Sequence, residues 1–138
     1  MAKSVAPSQQ RIRAIFQHLQ DGQPEKFYQN YVSDDVYWTV MGTHALSGVY
    51  RTKQAFLSQS ASRIAAVLDG PMKLNINKVI GGEVDDWAVV EMTADARLKN
   101  GKPYNNTYSW STRWENEKIV EVRAYLDGLM LNGALGES

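Results

Sequence analysis

The chain has 138 residues, 15 Lys plus Arg balanced by 15 Asp plus Glu, and no cysteine. That length suits one domain, residues 1–138, and the charge balance, with no local basic run, argues against nucleic acid or anionic lipid as a partner. The missing cysteine excludes disulfides, thiol nucleophiles, thiolate metal sites and iron–sulfur clusters.

The opening MAKSVAPSQQ lacks the apolar core of a signal peptide, and no later stretch approaches the roughly 20 apolar residues of a membrane span, so a cytoplasmic location is expected. After a polar N-terminal arm ending at Pro7, Ser8 is placed to cap a helix with Ile12, Ile15, Phe16 and Leu19 on one stripe, closed by Gly22. Pro24 suits the first turn of a second helix, in which Phe27, Tyr28 and Tyr31 cluster before Ser33, Asp34 and Asp35 break the pattern. Val36 to Met41 reads as a strand and GTHALSGVYR as a loop. Thr52 then caps a third helix carrying Leu57, Ala61, Ile64, Ala65 and Leu68, which stops at Asp69, Gly70 and Pro71.

From there the apolar period changes to two. Leu74, Ile76 and Ile80 alternate with Lys73, Asn75, Asn77 and Val79, and Gly81-Gly82 marks a bulge or turn. Trp87 to Leu98 puts Ala88, Val90, Met92, Ala94 and Ala96 on one face and Glu91, Thr93, Asp95 and Arg97 on the other. Asn100-Gly101 predicts a type I′ hairpin, since both residues tolerate positive φ. YNNTYSWSTRW returns with Tyr104, Asn106, Tyr108, Trp110, Thr112 and Trp114 inward, and Glu115 to Lys118 makes the next turn. The last strand sets Val120, Val122, Ala124 and Leu126 opposite Glu121, Arg123, Tyr125 and Asp127, and a Gly-containing tail follows. Three helices followed by a meander of long strands predict an α+β order, with the helices on one face of a curved antiparallel sheet.

The segments DDVYWTVMGTHALSGVYRTKQAF, NGKPYNNTYSWSTRW and KIVEVRAYLDG, within residues 8–128, resemble the SnoaL-like branch of the nuclear-transport-factor-2-like (NTF2-like, ketosteroid-isomerase-like) superfamily. The resemblance implies a cone of three N-terminal helices over a bent sheet, an enclosed apolar pocket and frequent homodimers through the outer sheet face. Its members include polyketide cyclases, isomerases, epoxide hydrolases, dehydratases and non-catalytic domains, so no single reaction is implied. In ketosteroid isomerases the general base and the two oxyanion donors fall where this chain has Val40, Ile15 and Trp110. Epoxide hydrolases place their Asp–Arg–Asp set where it has Met92, Ala94 and Ala124. Neither set can do its acid–base work with these side chains.

The inward faces predict a pocket lined by Ile15, Trp38, Val40, Phe56, Met92, Ala94, Asn106, Trp110, Ala124 and Leu126, suited to a small apolar, polyketide- or steroid-like molecule. If that molecule is turned over, His44 in the loop and Tyr108 on the pocket face are the catalytic candidates, for an isomerisation, cyclisation or dehydration without a cofactor. The two histidines are too isolated for a metal site, and the glycine loops lack the strand-to-helix context that phosphates need, so neither metal nor cofactor is expected. Trp87, Glu91, Arg113, Arg123 and Tyr125 share the outer sheet face, where they form a charge ladder or meet a twin subunit. The alternative function is a non-catalytic dimeric interaction domain with a closed cone and an exposed apolar patch.

Overall fold

A computed structural model describes residues 5–137. Of the expected N-terminal arm, residues 1–4 lie outside the described residues, while Ala6 is buried, its N–H donating to the Asp85 carbonyl (2.7 Å) and its carbonyl accepting from Glu83 (3.0 Å). The chain thus enters the fold clasped to the 82–85 turn. Helix α1 (Gln9–Gln20) starts at Ser8, whose side chain accepts from the Arg11 N–H, and buries the predicted stripe of Ile12, Ile15, Phe16 and Leu19. α2 (Pro24–Tyr31) begins on its proline.

The third helical run extends from Lys53 to Val67, its cap formed by Thr52 accepting from the Ala55 N–H. It is interrupted: α3 (Lys53–Phe56) and α4 (Ser62–Val67) are joined by a π-helical turn, Leu57–Ala61, that apolar spacing gave no sign of. The tail is also more ordered than expected. Asp127 accepts from the Leu129 and Met130 N–H groups and starts a further helix, α5 (Gly128–Leu135), which ends on left-handed Gly136 and buries Leu131.

The strands are β1 (Val32–Val40), β2 (Gly48–Tyr50), β3 (Lys73–Gly81), β4 (Trp87–Arg97), β5 (Pro103–Tyr104), β6 (Thr107–Glu115) and β7 (Lys118–Leu126). They form one sheet in the order β2-β1-β7-β6-β4-β3, with β5 on β4. The expected antiparallel sheet is therefore mixed, because β1 and β7 pair in parallel. β1 also takes in Ser33–Asp35, read from the sequence as a break; the ladder to β7 is irregular across that polar triplet, between Val32 and Tyr37. Gly48–Tyr50, expected as loop, adds a short edge strand against Trp38–Val40.

Two bulges correct the predicted inward faces. A shift between Ile76 and Lys78 flips the parity of β3, so Leu74 and Val79 are buried and Ile80 is 43% exposed. A shift between Arg113 and Trp114 does the same to β7, turning Ile119 inward beside Val122 in place of Val120. One unpaired residue moves every later side chain to the opposite face, which strict alternation cannot anticipate.

The hairpin turns differ from expectation in the same way. At Asn100-Gly101 only Gly101 has positive φ; its N–H donates to Leu98 O, and Leu98 N–H donates to Lys102 O, a turn closed by a glycine bulge. Successive positive φ values occur instead at Asn116-Glu117 and at Gly81-Gly82-Glu83. The buried sheet face is tied together by Thr112, which donates to the Ala88 carbonyl (2.7 Å) and accepts from the Trp114 indole (2.8 Å). No helix among the described residues is long and apolar enough to cross a membrane.

Asp127→Ala removes the cap of α5. Loss of an N-cap carboxylate costs about 1 kcal/mol, so the urea midpoint should fall, with the denaturant slope unchanged, in equilibrium unfolding by far-ultraviolet circular dichroism.

Candidate functional site: an aromatic-walled cavity

Trp38 on β1 stacks on Phe56 at the end of α3, ring centroids 3.8 Å apart and 18° from parallel, and meets Trp110 on β6 edge-on at 5.0 Å and 80°. Trp110 also touches Phe16 and Phe27, which themselves pack edge to face at 4.8 Å. Trp38, Phe56 and Trp110 line a cavity of about 670 Å³, within the range of small-molecule sites.

The cavity floor is the sheet: Trp38 and Val40 of β1, Tyr108 and Trp110 of β6, Ala124 and Leu126 of β7. Tyr28 of α2, the π-helical turn with Leu57 and Ser60, Met72 of the following loop and Leu131 of α5 make the walls. Small Ala124 between large rings leaves concave volume rather than contact.

Of the predicted lining, Trp38, Val40, Phe56, Tyr108, Trp110, Ala124 and Leu126 therefore converge. Ile15, Met92, Ala94 and Asn106 do not: all four are buried, but in the packed core behind the wall. Ile15 is covered by the helix–sheet contact of α1, and Asn106 sits in the break between β5 and β6 with its amide turned to backbone. Tyr28, Ser60, Met72 and Leu131 escaped the sequence reading. Tyr28 lay on a recognisable apolar cluster; Ser60 and Leu131 depend on the π-helical turn and on α5, which left no periodic signal.

The polar groups of the interior include the hydroxyls of Tyr28, Ser60 and Tyr108, which can donate or accept, and the indole N–H groups of Trp38 and Trp110, which only donate. Burial pushes the Tyr28 phenol far up, with no hydrogen bond to offset it. Burial also holds Tyr108 well above the usual phenol range, with Tyr104 and Tyr28 adding to the shift. Both are neutral O–H groups over any ordinary pH. The indole N–H groups of Trp38 and Trp110 are buried without an acceptor among the described residues, a condition that costs about 1–3 kcal/mol each and calls for an explanation.

Lys53 reaches the lining, but its ammonium is consumed by the Tyr28 and Val32 carbonyls (3.0 and 3.1 Å) and Asp34 (3.0 Å), pinning the C-terminus of α2. The carboxylate on the lining, Glu25, is exposed at the rim.

His44 is not on the cavity lining. Its Nε2 lies 3.0 Å from Met41 O, its Nδ1 accepts from the Leu46 N–H at 3.2 Å, and its own N–H donates to Ser47 Oγ. Those two backbone partners require the neutral Nε2–H tautomer, and a side chain at Gly128 would sit 2.9 Å from the ring. The histidine thus folds the β1–β2 loop and seats the start of α5, and the catalytic role expected for it is not supported by this placement.

The five predicted outer-face residues do share one face. Arg113 donates to Glu121 at 3.1 Å, Arg123 lies over the Trp87 ring at 4.6 Å, and Tyr125 is 44% exposed beside half-buried Glu91. Arg113 and Arg123 both pair with Glu121, at 3.1 and 3.6 Å, which is part of the charge ladder expected within one chain.

No family model matches the chain. Among curated proteins it is 30% identical over 122 residues, 87% of its length and 53% of the relative's, to the dimerizing cyclase phiC of a fungal species. It is 27% identical over 99 residues, 70% of its length and 44% of the relative's, to the dimerizing cyclase tstC of Talaromyces stipitatus. The chain spans about half the length of these curated relatives.

Among solved structures, an NTF2-like protein from Burkholderia thailandensis superposes with a TM-score of 0.74 at 16% identity, covering 96% of this chain and 98% of that one. The chain has the NTF2-like fold. TerC, co-crystallised with polyporic acid, superposes at 0.71 with 20% identity, over 93% of this chain and 97% of its own. The NTF2-like fold expected from the sequence is thereby borne out.

Burial lowers the His44 pKa, only partly countered by the Met41 carbonyl. A depressed histidine stabilises the fold above its unfolded value of about 6.5 and loses that contribution as pH falls toward the folded value. Acidifying from about pH 7.5 to about pH 5 should therefore lower the melting temperature more in the wild type than in His44→Gln, measured by differential scanning calorimetry.

Proposed function

We propose that this chain binds a small, flat, oxygen-bearing molecule in its cavity and serves a cyclase- or isomerase-type conversion, with the phenols of Tyr28 and Tyr108 polarising a carbonyl oxygen. The observation that carries this reading is the chemistry of the lining: aromatic walls, two protonated phenols and, among the described lining residues, a carboxylate only at exposed Glu25. When a proton leaves a carbon beside a carbonyl, negative charge grows on the oxygen. Donors fixed in a water-poor site stabilise it without reorganising. Such proton movement needs no cofactor. The base is then Glu25 at the rim or a carboxylate carried by the guest itself.

The relatives' names support the same class of chemistry, since phiC and tstC are dimerizing cyclases and TerC was co-crystallised with polyporic acid. The closed cone that a purely structural interaction domain would have is absent, which favours binding over that alternative.

Polyporic acid serves as the first probe, followed by quenching of tryptophan fluorescence. Ala124→Phe, which adds a ring to the floor, should abolish binding, and Tyr108→Phe should weaken it about tenfold, one hydrogen bond's worth. Equal affinity in wild type and Ala124→Phe would refute the cavity as the site.

The protein is further proposed to work as a homodimer through the outer sheet face, where Tyr37, Ile80 and Tyr125 are exposed around the Trp87–Arg123 contact. Tyr125→Ala should then shift the molar mass from dimer toward monomer in light scattering at micromolar concentration. A mass that does not change on this substitution counts against that face.

A further inference from the structure

Behind the cavity wall lies a run of hydrogen bonds whose direction is settled by backbone groups. Asn106, 1% exposed, has its Oδ1 accepting from the Thr107 N–H (2.8 Å) and the Asp127 N–H (3.1 Å), and its Nδ2 donating to the Asp127 carbonyl (3.1 Å). Backbone N–H can only donate and backbone C=O can only accept, so the amide has one possible orientation. Its second Nδ2 hydrogen therefore points at the Tyr104 hydroxyl, 3.0 Å away.

Tyr104 is itself 1% exposed, and the acceptor within reach of its proton is the Tyr108 oxygen at 3.0 Å. Were Tyr108 to donate to Tyr104 instead, the Tyr104 proton would be left buried with no acceptor, the costly arrangement that folded proteins avoid. With Tyr104 donating, the Tyr108 proton is turned outward, to the Met72 thioether at 3.7 Å on the cavity lining. Thioether sulfur is a weak acceptor that an oxygen would replace.

From this geometry we infer that Asn106 and Tyr104 are positioning residues that make Tyr108 a one-way donor, so that the guest group seated at Tyr108 is a bare acceptor such as a ketone or quinone oxygen. The inference rests on the binding role proposed for the cavity. It deepens that role by assigning a polarity: a guest presenting an N–H at Tyr108 meets a proton, not a lone pair. Accepting from Tyr104 also makes the Tyr108 O–H a stronger donor, because bonds in a chain polarise one another.

Two measurements separate this inference from the cavity reading. The first uses the ligand-free protein. In nuclear magnetic resonance at low temperature, the Tyr108 hydroxyl proton should give a cross-peak to the Met72 methyl, and the Tyr104 hydroxyl proton one to the Tyr108 ring. A Tyr108 hydroxyl proton seen only against the Tyr104 ring overturns the assigned direction, whatever the cavity binds.

The second uses three probes of nearly one shape: 9-fluorenone, an acceptor; fluorene, neither donor nor acceptor; and carbazole, an N–H donor. Wild type should bind fluorenone about tenfold more tightly than fluorene and carbazole no more tightly than fluorene. In Tyr104→Phe the Tyr108 hydroxyl is free to turn, so carbazole should gain on fluorene and fluorenone should lose part of its advantage, with fluorene unchanged. A structural role alone would shift all three together. Carbazole preferred in the wild type, or the same ratios in Tyr104→Phe, overturns the inference. Failure of all three to bind removes the cavity reading, and with it the guest polarity, while the resonance experiment still decides the direction of the relay.

Discussion

The contact on which the rest of this molecule depends is the three-ring joint of Trp38, Phe56 and Trp110. It ties the first strand, the interrupted helix and the central strand at one point, and through Phe16 and Phe27 it extends to α1 and α2. Large rigid rings bury much area at little entropic cost. Because they meet edge-on and stacked, they also hold elements apart at a defined spacing. The same three rings line the cavity.

The cavity is completed by short elements. The π-helical turn bends the helix so that Leu57 and Ser60 face inward, in keeping with the tendency of such turns to occur at functional sites. α5 has little amphipathic character and is held by its Asp127 cap and by the burial of Leu131. His44, neutral and bonded to backbone at both ring nitrogens, packs against Gly128 at its base. The loop, the histidine and the tail helix thus act together as one edge of the cavity.

The polarity of the interior comes from a second layer. Burial makes phenols poor acids and keeps them as donors. Asn106, locked by Thr107 and Asp127, then sets which way the donors point. The Tyr108 phenol, which faces the cavity, is thus supported from behind, through Tyr104, by a buried amide.

Much of this was legible in the chain itself. Ser8, Thr52 and Pro24 announced three helix starts, alternation from Trp87 to Leu98 announced β4, and the inward run Tyr108, Trp110, Thr112, Trp114 was read correctly because local hydrogen bonding and apolar period settle those features. Sequence alone thus determined the class of fold, most of the cavity floor and the mainly apolar nature of its lining. Tertiary structure decided the rest. The bulges at Ile76/Lys78 and Arg113/Trp114 exchanged Ile80 for Val79 and Val120 for Ile119 at the core, since a register shift is settled by the partner strand and not by the strand's own residues. It also moved Asn106 from wall to support and His44 from candidate base to loop clasp. Which atom bonds to which backbone group is a property of distant segments brought together, and no spacing within one segment encodes it.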